Sequence, residues 1–383
     1  MSLCYPKLLK PYGSCFSKPQ FTHFEHLTTC LSACEIPSIN RYAAFHTKSR
    51  SSLNRFLTES TWKVEDVKKV YHQEVKGYLN PHSFLLIDDT LSHRPYAKAV
   101  EKANYHYDHT INGQSKGYSM VTATAVTKNH IIPYDLLCYY REEDCTDRQY
   151  RSKNTIAEEI ISSTKNIKSI ETVIFDSWYS NDIVIGACKQ AGKHYITLLK
   201  SNRNVTFHQR KCAVDVLSQK KDLYPWEEFC HKDRKFRSQT YSVFIKSVGS
   251  VKLVISQLYD ENEKKWGDKC YLISDMIEKS AQELVEEYLI RSGIESFHRE
   301  AKQNVGLEGY FLRNNRGIER YLFLVMLTYA LLVLQCIDLK ESITIGQACE
   351  KKKIQVFSWA MERAYEHPSE REFIFQAIAK ARV

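Results

Sequence analysis

Four polar side chains recur along Tyr288–Lys302, YLIRSGIESFHREAK, at spacings that place them on one side of a helix. At about 100° per residue, Tyr288, Arg291, Glu295 and Lys302 fall within roughly one sixth of the circumference. Ile290, Ile294, Phe297 and Ala301 gather on the opposite side. The stripe combines a phenol, a carboxylate and two cations, and two chemistries suit that set. Arg291 and Glu295, four residues apart, could form an ordinary ion pair on a solvated face. Alternatively, the carboxylate serves a hard metal ion while Arg291, as a fork, and Lys302, as a point charge, hold phosphates. Tyr288 would then donate to a phosphate oxygen or meet a base. The segment by itself favours the ion pair, and the rest of the chain has to change that.

The change comes from two carboxylates upstream. SFLLIDDT (83–90) and ETVIFDS (171–177) read as short buried strands, each closing on an acid, Asp88 and Asp176. Around them YSMVTATAVT (118–127) and HIIPYDLLCYY (130–140) predict a hairpin. TIAEEIISSTK (155–165) and NDIVIGACKQAG (181–192) predict helices, the second closed by Gly192. HYITLLK (194–200) predicts one more buried strand. The order β-β-β-α-β-α-β implies a mixed α/β sheet in which 84–88, 172–176 and 195–199 run parallel. Ligands of such sheets gather at the carboxyl ends of the strands. Each acid also has a local reading: Asp88-Asp89-Thr90 could turn the chain, and Asp176-Ser177 could cap the next helix. Two acids at matching strand ends, with Glu295 as a third, suit two divalent cations that stabilise the attacking and leaving oxygens of an in-line phosphoryl transfer.

The remainder supports a nucleic-acid partner without requiring one. The net charge is +9, and 24 tyrosines stand among many Lys and Arg. Residues 1–80 predict a small basic helical domain, a possible helix-turn-helix, with Lys48, Arg50, Arg55, Lys63, Lys68 and Lys69 on its surface. After residues 81–200, the segment 201–280 turns basic and aromatic and then strand-like, a β-rich insertion. Residues 281–340 return to the core, and 341–383 predict a C-terminal helical segment. Tyr321–Ile337 is apolar enough to suggest a membrane span, but it is short and carries Thr328 and Gln335, so a buried core helix fits better. The 12 cysteines form no CxxC pair, and the opening MSLCYPKLLKPYGSC lacks an apolar leader core, so a reducing cytoplasm fits. His23, His26, Cys30 and Cys34 would share one helix face, but four ligands on one helix close poorly around zinc.

Tyr288-x2-Arg291-x3-Glu295-x6-Lys302 resembles the YREK signature of bacterial insertion-sequence transposases, a branch of the DDE superfamily. LLIDDT and IFDSWYS resemble that family's first and second acidic motifs, and the β-rich segment before the third acid is similar as well. The resemblance covers roughly residues 80 to 335. It implies an RNase H-like catalytic core, with Asp88, Asp176 and Glu295 binding Mg²⁺ (or Mn²⁺) and Tyr288, Arg291 and Lys302 contacting DNA. Asp89 is the alternative first acid; the D-x-T pattern of Asp88-Asp89-Thr90 favours Asp88. Implied with it are nicking of the element's ends, joining of the freed 3′-hydroxyl to target DNA, and a homodimer on paired terminal inverted repeats. So too is a cytoplasmic, nucleoid-associated location with no membrane partner. A nuclease of the same fold that cuts without joining, or a transposase-derived DNA-binding protein, would share most of these residues.

Overall fold

Parallel pairing at the centre of one large sheet positions the candidate acids. The computed structural model of the chain describes residues 5–33, 49–108, 111–128, 130–145, 150–219 and 224–381. Helices α1 (Lys18–Ala33), α2 (Arg50–Thr58) and α3 (Val64–Lys76) come first. Strands β1 (Ser83–His93), β2 (Asn104–Asp108), β3 (Gly113–Thr127) and β4 (His130–Tyr139) follow. Then come α4 (Lys153–Ser163), β5 (Ile170–Phe175), α5 (Asp182–Gln190) and β6 (His194–Leu198). The parallel pairs β1–β5 and β5–β6 are those that the sequence predicts. The predicted hairpin is β3–β4. Gly192 adopts φ +67° just beyond α5, the left-handed position that suits glycine after a helix.

β3 is the long antiparallel partner of β1, with β2 and β4 sharing its other edge. Its run of Val, Thr and Ala is buried from Gly117 to Thr127, because both faces of the sheet are covered here. Gly117 lets β3 cross close to β1: a Cβ there would lie 2.2 Å from the Ser92 carbonyl oxygen. The β-rich stretch contributes β7 (Asn204–Phe207), β8 (Arg210–Ala213), β9 (Glu227–His231), β10 (Arg234–Ile245), β11 (Gly249–Asp260), β12 (Lys265–Trp266) and β13 (Cys270–Ser274). These continue the same sheet, joining β6 through β13 in the order β6-β13-β11-β10-β7-β8. The whole is a large mixed sheet flanked by helices, consistent with an RNase H-like DDE fold.

The segment that reads as one helix across Tyr288–Lys302 is two: α6 (Ala281–Leu289) and α7 (Ser292–Asn304). Ile290 donates to the Glu287 carbonyl, Arg291 to Tyr288 and Gly293 to Ile290, so the chain tightens to i→i+3 bonding across the join. Gly293 presses α7 onto the sheet, where a Cβ would meet Ile131 Cδ1 at 3.0 Å. Ile294, Phe297 and Ala301 are buried against the sheet and its neighbours, as their spacing predicts.

α8 (Asn315–Asp338) contains the apolar run and is buried almost all round, against β4, α1, α2 and α9 (Ile345–Glu366). It passes a length and composition test for a membrane span, yet it forms the centre of the core. α10 (Arg371–Ala381) ends the chain's helices. Arg320 of α8 lies buried and donates to the carbonyls of Leu57 at 2.9 Å and Ser60 at 2.8 Å, and to that of Trp62, with its guanidinium over the Trp62 ring. It ties the N-terminal helices to the core. Lys68, one of the predicted surface cations, instead pairs with the buried Asp135 at 2.7 Å. Lys48 and Cys34 lie outside the described residues. His26 and Cys30 are buried in α1, with the thiol 3.8 Å from His26 Nδ1.

Candidate active site

Asp88 and Asp176 leave neighbouring strands at the same level, because Ile87 pairs with Phe175 in the parallel register. β1 does not end at Asp88: it runs on to His93 against β3, with Asp88 opposite Thr122. The acid therefore marks the point where the parallel neighbour stops and the antiparallel one continues. The turn reading of Asp88-Asp89-Thr90 is thereby replaced by an extended strand. Asp176 does turn the chain. Its Oδ1 accepts from the Trp178 and Tyr179 amides at 2.9 and 3.3 Å, while α5 takes its cap from Asn181.

α7 brings the third acid and its cation over this edge. Arg291 Nη2 donates to Asp88 Oδ2 at 2.7 Å, and Nη1 donates to Glu295 Oε1 at 2.8 Å. One guanidinium thus bridges two carboxylates from opposite ends of the chain. The i,i+4 pair is present, but as half of a larger network. Burial pushes Asp88 up to about 7; Arg291 opposes the shift, and the charges of Asp89 and Asp176 add to it. Tyr288, on the last turn of α6, is half-buried, and burial raises its phenol far above the ordinary value, with Arg291 opposing. Lys302 points to Glu308 at 3.7 Å. Glu308 also accepts from His93 Nδ1 at 2.8 Å, and His93 Nε2 meets Asp108 at 2.6 Å.

Asp88 and Asp89 have separate partners. Asp89 pairs with Lys153 at 2.5 Å and accepts from the Tyr179 hydroxyl at 3.3 Å. Lys153 also lies 5.5 and 5.7 Å from the Tyr139 and Trp178 ring centres. Neither Lys153 nor Trp178 is marked in the sequence by spacing; only its place right after Asp176-Ser177 draws notice to Trp178. His298, one turn after Glu295, is buried, its Nε2 2.7 Å from the Thr122 hydroxyl, which reaches the Asp88 carbonyl at 3.2 Å. Burial pushes His298 down to about 3, so the neutral ring serves as a strut between α7 and the sheet.

The donor chemistry of this edge suits a hard cation: Asp88 and Asp176 offer carboxylate oxygens from neighbouring strands, and Asp88 resists ionisation through burial and beside its acidic neighbours. The Arg291 guanidinium supplies positive charge here, and it links Glu295 to Asp88. Among the described residues no three Asp, Glu, His or Cys side chains converge as a metal site. Asp88 and Asp176 are the oxygen donors at this edge that a divalent ion would use, and Arg291 occupies one oxygen each of Asp88 and Glu295.

A large mixed α/β sheet flanked by helices, with Asp88 and Asp176 at its parallel strands, is consistent with an RNase H-like DDE fold. Residues 38–222 match the family model described as DDE superfamily endonuclease. That match takes in Asp88 and Asp176, stops short of Glu295 and spans a little under half of the chain. It supports a DDE-type transposase family and an enzyme acting on DNA. No curated protein matches the chain.

Proposed function

We propose that the protein is a metal-dependent DDE transposase of the YREK-signature branch. It cuts the ends of a mobile DNA element and joins them to target DNA by phosphoryl transfer. The observation that carries this reading is the bridge from Asp88 through Arg291 to Glu295, beside Asp176. It joins the signature helix to the strand acids that the family match includes.

In this reading Asp88, Asp176 and Glu295 hold Mg²⁺, or Mn²⁺ in its place, which would supply positive charge against the scissile phosphate. Arg291 exchanges its carboxylates for a phosphate, which its fork engages equally well. Lys302 and Tyr288 steady the strand on either side, and Tyr288, kept a phenol by burial, serves as a hydrogen-bond donor. The sheet and the buried His298 hold the strands and α7 in place before DNA arrives, and the Arg291 exchange is the rearrangement that binding has to drive. The residues ahead of about 80 bind DNA, the strands at 201–280 form an insertion, and two copies act on paired ends.

The test is incubation with DNA carrying candidate terminal inverted repeats, with and without Mg²⁺. Metal-dependent nicks together with joined products are expected. The matched family is described as an endonuclease, which favours a second reading of cutting without joining. Nicks with no joined product would select that one.

A further inference from the structure

A cleft of about 600 Å³ opens beyond Lys302, between residues 93–100 and 308–313. Its two walls are tied at both ends. His93 holds Glu308 through its amide at 3.0 Å and its ring at 2.8 Å. At the other end the Glu101 amide donates to the Arg313 carbonyl at 3.0 Å. The cleft is thus built into the fold, in the size range of roughly 300–1,000 Å³ typical of small-molecule sites. Glu308 lines it and also faces Lys302, so the cleft begins where the signature stripe ends.

Its lining is unusual for a free surface. Tyr96 is 93% exposed on one wall and Phe311 is 83% exposed on the other. Both rings line the one cleft, so they form a patch and not single scattered surface residues. Arg94, Lys98 and Arg313 line the same cleft, against one carboxylate, Glu308, which His93 and Lys302 already engage. Arg94 sits over the Tyr310 ring, 3.6 Å from its centre, and donates from Nη1 to the His93 carbonyl at 2.9 Å, which anchors its charge in the cleft wall.

We infer that this cleft takes an unpaired nucleotide of the DNA strand that passes the carboxylates. The base stacks on Tyr96 and Phe311, and the flanking phosphates meet Arg94, Lys98 and Arg313. Exposed rings interleaved with cations are the combination that single-stranded nucleic acid recognises, since every base offers a π-face and every link a charge. The inference rests on the DNA-cutting reading of the neighbouring acids.

The test uses the full chain and a DNA duplex with a short single-stranded tail carrying 2-aminopurine. Mg²⁺-dependent cleavage of the same DNA is followed in parallel. Stacking should quench the probe. Tyr96→Ala with Phe311→Ala should abolish the quench and weaken tailed DNA by about tenfold or more. Blunt duplex should bind as before, and Tyr96→Phe should retain the quench. Unchanged quench and affinity in the double variant, with cleavage intact, overturn the cleft while leaving the acids' role standing. Quench lost as expected without any wild-type cleavage upholds the cleft and removes the phosphoryl-transfer reading. A wild-type chain that binds neither DNA overturns both.

Discussion

Arg291 lies between Asp88 and Glu295, 2.7 Å from one carboxylate and 2.8 Å from the other. A helical ion pair has become an inter-element lock. A divalent ion would compete with this guanidinium for the carboxylates, and a phosphate would compete with the carboxylates for the guanidinium. Arg291→Ala should therefore lower cleavage about a hundredfold or more, the scale of losing one transition-state donor. It should also flatten the salt dependence of DNA affinity by about one phosphate contact. Arg291→Lys should restore charge but not the fork, and recover little. An unchanged salt slope in Arg291→Ala would exclude a phosphate contact there.

Asp88 and Asp89 are adjacent but differently engaged, one with Arg291 and the other with Lys153. Asp88→Asn, Asp176→Asn and Glu295→Ala should each abolish strand cleavage while leaving DNA binding nearly intact. Asp89→Asn should keep measurable cleavage, because it loses a partly exposed ion pair of the kind that contributes little. The check is a gel assay of nicked product beside a binding isotherm for each variant. Cleavage surviving in Asp88→Asn but not in Asp89→Asn would reverse the assignment.

Acid should destabilise the chain through His298. Burial holds this imidazole down at about 3 in the fold, against about 6.5 in an unfolded chain. The unfolded state therefore takes up the proton first. Stability is fully present above about pH 6.5 and is lost as pH falls toward 3, by about 2 kcal/mol at pH 5 from this group. Urea midpoints at pH 7 and pH 5 should draw together in His298→Gln. Burial also lowers His72 and His106, so some slope will persist. Equal acid losses in wild type and variant would remove His298 as the cause.

Arg320 has no carboxylate partner among the bonds that hold it; its donors end on the backbone carbonyls of Phe56, Leu57, Ser60 and Trp62. Arg320→Met should cost about 2–4 kcal/mol, because several buried carbonyls lose their donor at once. Thermal unfolding should fall by several degrees, and protease should reach the N-terminal helices sooner. A variant with unchanged melting and digestion would show that these helices dock through apolar contacts only.

Most of the central elements are legible in the sequence. Short apolar runs flanked by turn residues place β1, β5 and β6, and the hairpin β3–β4 follows from two strand-like runs joined by the Lys-Asn step. The apolar helix at 321–337 is legible as a core element through its length and its polar interruptions. β2 is not, since NYHYD carries no buried run and pairs only along the far end of β3. The break between α6 and α7 is hidden too. Ser-Gly at 292–293 is a weak helix interruption, and the i→i+3 bonding that closes the join shows only once α7 is pressed against Ile131.

The sequence by itself determined which residues could do chemistry and which apolar runs form the central strands. Both are written in local spacing: a period of two or 3.6 needs only neighbours. Partnership was decided by the tertiary structure. Asp88 meets Arg291 and Asp89 meets Lys153, Lys302 turns to Glu308, and Lys68 serves a buried aspartate rather than solvent. A charge interacts over a few ångströms of space, whatever the distance along the chain, so only the packed fold selects its partner.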